Sequence, residues 1–184
     1  MRYFELEDDM TGIPRWHLDR VVSTDGSVPS LRAGVKCDLT DLQVAVHHAG
    51  PSLQFTMTTF GVPIAVLPLS IAFTSLAQND VQILPCAVSG DCGYAAINVL
   101  RILPCIDDAL TVGIKWTADD HRSDLAGQYR RIDKLMVDPS KIPEDAQVFR
   151  MKDYQRIIIV SETMKQAMEA AGCHGAVFVP VELS

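Results

Sequence analysis

Between Gln155 and Val181 the sequence reads strand, helix, strand, and no other stretch limits the fold as tightly. Gln155 to Val160 is a short apolar run of the length and β-branched content of a buried strand. Ser161 follows as a helix N-cap, with Glu162 at the positive end of the helix. Met164, Ala167, Met168 and Ala171 then recur at helical spacing, and Gly172 supplies the C-terminal stop. Ala176 to Val181 is a final strand.

The rest of the chain is dominated by strands and turns. Arg2 to Glu7 alternates, with Phe4 and Leu6 on one side and Tyr3, Glu5 and Glu7 on the other, so it predicts a half-buried strand. Asp8 to Pro14 reads as a turn-rich loop, Trp16 to Val22 as a second strand, and Ser23 to Gly34 as an exposed loop. Leu53–Thr59 and Pro63–Leu67 predict strands. Ser70–Gln78 predicts a helix capped by Ser70, with Ala72, Phe73 and Leu76 as its buried stripe. Val81 to Val88 is β-rich, and Pro85 places an edge or bulge in it. Ser89 to Gly93 is a turn, Tyr94 to Leu103 the returning strand of a hairpin, and Gln128 to Val137 a further strand. Asp107 to Asp124 reads as polar and irregular around Trp116. The expectation is an α+β fold: a mainly antiparallel sheet built from hairpins, a few helices, and the C-terminal strand–helix–strand unit. Residues 1–184 are read as a single domain, with 10–50 a less regular N-terminal extension.

Charge narrows the partners. The chain carries 23 acidic and 16 basic residues, a formal net charge of −7. Its one basic cluster, Arg130, Arg131 and Lys134, is interrupted by Asp133, which argues against a nucleic-acid binder. An acidic surface suits a basic protein partner, and it suits plain solubility too. The start reaches charge within a few residues and has no apolar signal core, and the apolar stretch Phe60–Ala77 is broken by Pro63 and Pro68. Both point to a cytoplasmic chain that does not enter a membrane. The five cysteines then read as free thiols in a reducing compartment.

The search for chemistry yields few candidates. Cys86, Cys92 and Cys105 lack the close spacing of a zinc site, although Cys86 and Cys92 could face one another across a hairpin. His47 and His48 would point to opposite faces of a strand, and His17, His121 and His174 stand alone. No cofactor or metal is expected. The densest polar group is Asp107, Asp108, Asp119, Asp120, His121 and Asp124. It admits three readings: an acid–base or metal site of a small hydrolase, a helix cap followed by a solvated loop, or a contact loop whose charged rim surrounds the aromatic anchor Trp116. Asp8 and Asp9 are candidates to join such a surface.

A set of short motifs runs through the chain in order. They are Met1-Arg-Tyr-Phe-Glu-Leu, Asp80-Val-Gln-Ile-Leu-Pro, Ile97-Asn-Val through Cys105-Ile-Asp-Asp, and Gln128-Tyr-Arg. Val148-Phe-Arg, Val160-Ser-Glu and Ala170-Ala-Gly to Gly175-Ala-Val-Phe-Val-Pro-Val follow. In that order they resemble the bacterial immunity protein family eleven of polymorphic toxin systems. The resemblance implies a cytoplasmic antidote that binds and neutralises a cognate toxin delivered by a neighbouring cell, without catalysis. Nucleases are one frequent type of such toxins, and a basic nuclease would suit an acidic antidote. The family lends no catalytic residues. Beside it stand the metal-dependent hydrolase of the Asp107–Asp124 region and an adaptor subunit of a secretion system.

Overall fold

Alternation at the start of the chain produces strand β1 (Tyr3–Asp8), with Phe4 and Leu6 buried on one face and Glu5 and Glu7 on the other. The computed structural model describes residues 1–11 and 14–184, so the loop expected over Asp8–Pro14 lies in part, at residues 12 and 13, outside the described residues. Next come β2 (His17–Ser23), β3 (Leu42–His48), β4 (Phe55–Met57), β5 (Pro63–Val66), helix α1 (Leu67–Ala77), β6 (Val81–Val88) and β7 (Asp91–Val99). The second half holds β8 (Ile102–Leu103), β9 (Val112–Lys115), β10 (Tyr129–Lys134), β11 (Met136–Val137), β12 (Val148–Met151), β13 (Tyr154–Ser161), α2 (Glu162–Ala170), β14 (Ala176–Pro180) and β15 (Glu182–Leu183). Most pairs are antiparallel; β3–β6, β8–β12 and β11–β15 are parallel. The α+β expectation therefore holds.

Two sheets carry the fold. One has the order β2-β3-β6-β7-β5-β4, the other β14-β1-β13-β12-β8. The six-stranded sheet curls until its ends meet: Leu18 bridges Thr58, and the Thr59 amide donates to the Leu18 carbonyl at 3.0 Å. Inside the curl lies a core that includes Trp16, Leu18, Val44, Ile64 and Tyr94. A second core joins both sheets and both helices through Phe55, Phe73, Val99, Val148 and Met164. A third covers the far face of the five-stranded sheet, around Cys105, Val137, Phe149 and Ile159.

The C-terminal unit forms as its residues direct. The Ser161 hydroxyl accepts the Met164 amide at 3.0 Å, Met164 and Met168 are buried, and Gly172 turns the chain at φ +74°. Ala171 falls past the helix end and is exposed, so the apolar stripe is one residue shorter than its periodicity. β13 and β14 are not neighbours. β1 runs between them, antiparallel to both.

Other elements depart from expectation. Helix α1 begins at Leu67, not Ser70, because Pro68 fits the first turn of a helix. Ser70 sits inside the helix and donates to the Leu67 carbonyl at 2.7 Å. The buried side chains of α1 are Leu69, Ser70, Phe73 and Ala77, while Leu76 is exposed. β6 is a central strand, and Pro85 stands just before Cys86–Val88, the part that pairs with β3. The expected bulge does occur, between Cys86 and Val88. Cys86 pairs with Tyr94 across the hairpin and is buried, whereas Cys92 is exposed, so the two thiols do not face one another. The turn is the two-residue Ser89-Gly90, both at positive φ, as tight hairpins require. Leu42–His48, left unassigned by sequence, is β3, and residues 10–50 thus contribute β2 and β3 to the six-stranded sheet. Among the described residues no helix is long and apolar enough to cross a membrane.

One buried carboxylate ties these parts together. Asp80 is 1% exposed. Its Oδ2 accepts the amides of Gln147 at 2.7 Å and Val148 at 3.0 Å, and its Oδ1 pairs with Arg101. Its backbone carbonyl accepts the amides of Leu100 and Arg101, and its amide closes the end of α1 on Ala77. Arg101 in turn forks onto Asp145 at 3.0 and 2.8 Å.

Glu5 lies on β1, an interior strand of its sheet, and is half-buried. Burial first, and the charge of Glu7 second, raise its carboxyl from 4.5 to about 7. The folded chain therefore binds this proton more tightly than the unfolded chain. The stabilisation from the protonated form is fully present below pH 4.5 and is lost as pH rises through 7. Glu5→Gln should accordingly stabilise the protein at pH 8, by roughly 1–2 kcal/mol after allowance for solvent screening. The difference from the parent should close by pH 4.5, measured as urea midpoints at both pH values.

Candidate partner-binding surface

The residues singled out between Asp107 and Asp124 lie on one feature, a two-stranded ribbon. β9 pairs with β10 alone, and the two form a sheet separate from the larger ones. One face of the ribbon packs inward. Tyr129 is buried in the third core, Ile132 packs against that core, and the Lys115 ammonium lies 4.5 Å from the Tyr129 ring centroid. Gly113 faces inward as well: a Cβ there would stand 2.4 Å from the Arg131 carbonyl oxygen, so the close approach of the strands requires glycine. The other face leaves Val112 (56% exposed) and Ile114 (48%) in solvent, with Leu110 (51%) beside them.

Trp116 follows β9 and opens the connecting loop. It is half-buried, with the Arg130 guanidinium 4.9 Å from its ring centroid and the His121 ring edge-on at 5.3 Å. Its amide donates to the Gln128 carbonyl at 2.9 Å, and its carbonyl accepts the Gly127 amide, closing the loop at its base. The indole is thereby held between Arg130 and His121 at the ribbon's end.

The carboxylates around it are mostly engaged locally. Asp107 Oδ1 accepts the amides of Ala109 at 3.0 Å and Leu110 at 3.3 Å. Asp108 accepts from the Lys115 ammonium at 2.9 Å and the Tyr129 hydroxyl at 2.8 Å, and these bonds, Lys115 first, hold its carboxyl below the usual range. Burial, then the hydrogen bond to Asp108, pushes the Tyr129 phenol up to about 12. Asp120 accepts the Thr117 amide at 2.8 Å and hydroxyl at 3.0 Å, which lowers its carboxyl. Asp124 takes a bidentate fork from Arg122 at 2.9 and 2.7 Å. Asp119 is exposed at the loop tip. Residues 107–134 hold six acidic and five basic side chains, a net charge of −1. The acidity of the chain is thus not concentrated here.

Asp8 and Asp9 stand apart from this group, at the end of β1 remote from Tyr3 and the third core. Asp8 is structural in its contacts: it pairs with Arg15 at 2.8 Å and accepts the Met57 amide at 3.0 Å. Asp9 folds back on Thr11, accepting its amide at 2.9 Å and its hydroxyl at 2.6 Å. Among the described residues, no group of three or more His, Cys, Asp or Glu side chains is arranged to hold a metal ion.

Sequence reasoning missed β9 and the exposed apolar row on it. The signal was present, since Val112, Ile114 and Trp116 alternate with Gly113 and Lys115. It was masked by the density of aspartates on either side.

Residues 90–182, half of the chain, match the model of the Immunity protein family (Imm11). No match was found among curated proteins.

Proposed function

The chain belongs to the Immunity protein family (Imm11), and from that premise we propose that it binds and neutralises a cognate protein toxin, in the cytoplasm, by covering the toxin's surface rather than by catalysis. The observation that carries this reading is the overlap of two features. The family match over residues 90–182 includes the whole β9–β10 ribbon, and that ribbon presents an exposed apolar row beside a fixed tryptophan. An apolar and aromatic centre with a mixed-charge rim is the composition of a protein-binding patch.

On this reading Leu110, Val112, Ile114 and Trp116 supply the anchors. Asp119, Asp120 and Asp124, with Arg130 and Arg131, form the rim. Asp107 and Asp108 set the shape of the ribbon's base. Asp8 and Asp9, at the other end of β1, are outside this surface. A basic nuclease is a toxin chemistry that suits the net charge of −7, because opposite fields speed encounter. With the ribbon itself close to neutral, that attraction comes from the chain as a whole.

The test is direct. The chain is used as bait to capture its partner, and the captured protein is expressed alone and together with the chain. Toxicity alone, relieved on co-expression, is the expected result. A captured partner that is harmless when expressed, or harmful regardless of the chain, would overturn the reading.

A further inference from the structure

The arginines of this acidic chain are distributed unevenly. Arg2, Arg15, Arg101, Arg122 and Arg131 each sit in an ion pair, and Arg130 stacks on Trp116. The other four, Arg20, Arg32, Arg150 and Arg156, gather around the Phe60–Gly61 turn, and among the described residues none of them has a carboxylate within ion-pair distance. The Arg20 guanidinium lies 4.9 Å from the Phe60 ring centroid. Arg32 donates to the Phe60 carbonyl at 3.1 Å. Arg150 is fully buried, donating to the carbonyls of Gly61 at 2.8 Å and Gln155 at 2.7 Å, while its Nε has no partner among the described residues. The Arg156 backbone packs against Gly61.

These charges act on one another. Burial first, and Arg32 second, bring Arg150 down to about 9; burial and then Arg156 lower Arg32. Asp19, the carboxylate next to Arg20 in sequence, is taken up by the Arg20 amide at 2.7 Å and the Thr59 hydroxyl at 3.5 Å. A cluster of like charge without a counter-ion is costly, and a bound anion relieves that cost.

Between Arg20 and Arg32 the surface opens into a cavity of about 190 Å³, walled by Val21, Leu31 and Val62 with Phe60 at its edge. A dry apolar cavity of roughly 150 Å³ already holds a benzene-sized group. Both features converge on one ligand chemistry. We propose that this cavity binds a carboxylate carried on a ring-sized apolar body, the ring against Val21, Leu31 and Val62 and the carboxylate bridged by Arg20 and Arg32. Charge-assisted guanidinium bonds of this kind are the strong ones, and the apolar walls exclude water from around them. The group can come from a free small acid or from an aromatic residue at the C-terminus of a peptide. The site is independent of the toxin-binding ribbon.

The full-length chain is titrated calorimetrically with phenylacetate, its neutral amide phenylacetamide, the tripeptide Gly-Gly-Phe with a free C-terminus, and inorganic phosphate. The expected result is saturable binding of phenylacetate or the tripeptide and none of the amide. Whichever acid binds tighter identifies the source. Arg32→Gln and the more exposed Arg20→Gln should each weaken that binding at least tenfold, with thermal midpoints kept. Absence of binding by both acids, equal binding of the amide, preference for phosphate, or full affinity in both variants would each overturn the proposal.

Discussion

Replacing Asp80 with alanine should destabilise the fold by about 3–5 kcal/mol, the cost of breaking a buried, hydrogen-bonded ion pair from one side. For a chain of 184 residues that corresponds to a fall in thermal midpoint of roughly 6–20 °C. The reason is the number of separate segments that one carboxylate joins. Removing it strands the amides of Gln147 and Val148 in a buried setting, where water cannot replace the lost acceptor. It also leaves Arg101 with Asp145 alone, and that partner is largely exposed. Asp80→Asn keeps an oxygen for the two amides and removes the charge, so it should cost less than Asp80→Ala. Urea denaturation of both variants checks the order. A loss below 1 kcal/mol for Asp80→Ala would show that the junction of α1, β7 and β12 is held by packing instead.

The second large effect concerns the proposed complex with a toxin. Trp116→Ala and Ile114→Lys should each weaken the complex by about 2–4 kcal/mol, some 30- to 1000-fold in Kd, the range of central anchor residues. Ile114 is exposed in the free chain, so its replacement should leave the thermal midpoint where it was. Neutralising Asp119, Asp120 and Asp124 together should act differently, slowing association and flattening its salt dependence more than it speeds dissociation. Surface plasmon resonance at two salt concentrations separates these effects. Unchanged affinity in both anchor variants would move the interface off the ribbon while leaving the role of the protein open to the rescue assay.

What could be read from the sequence was local. β1, the β6–β7 hairpin and the capped helix α2 are each specified by residues within a few positions of one another: the alternation of Phe4 and Leu6, the turn read over Ser89–Gly93 (of which Asp91 to Gly93 in fact belong to β7), the Ser161 cap, the Gly172 stop. Helix α1 was misplaced by three residues because a serine after a proline looks like a cap, whereas here its hydroxyl bonds within the helix. Pro68 was the better signal. The aspartates of the ribbon were legible as a cluster and illegible as to use. A carboxylate that accepts an amide two or three residues away, as Asp107 and Asp120 do, has the same letter as one that meets a partner. The arginine cluster could not be seen at all, since its members come from β2, the loop after it, β12 and β13, brought together only by the curl of one sheet against the other.

The position of β1 has a consequence for how the chain comes to be folded. This strand spans Tyr3–Asp8, yet both of its neighbours, β13 (Tyr154–Ser161) and β14 (Ala176–Pro180), come far later in the chain. Its backbone donors and acceptors must wait for their partners until β13 and β14 have been made, and the sheet that holds them closes only then. Such long-range closure makes for slow folding and a late, all-or-none commitment. It also separates the matched family stretch from an autonomous folding unit: residues 90–182 contain both β13 and β14 but not the strand that belongs between them.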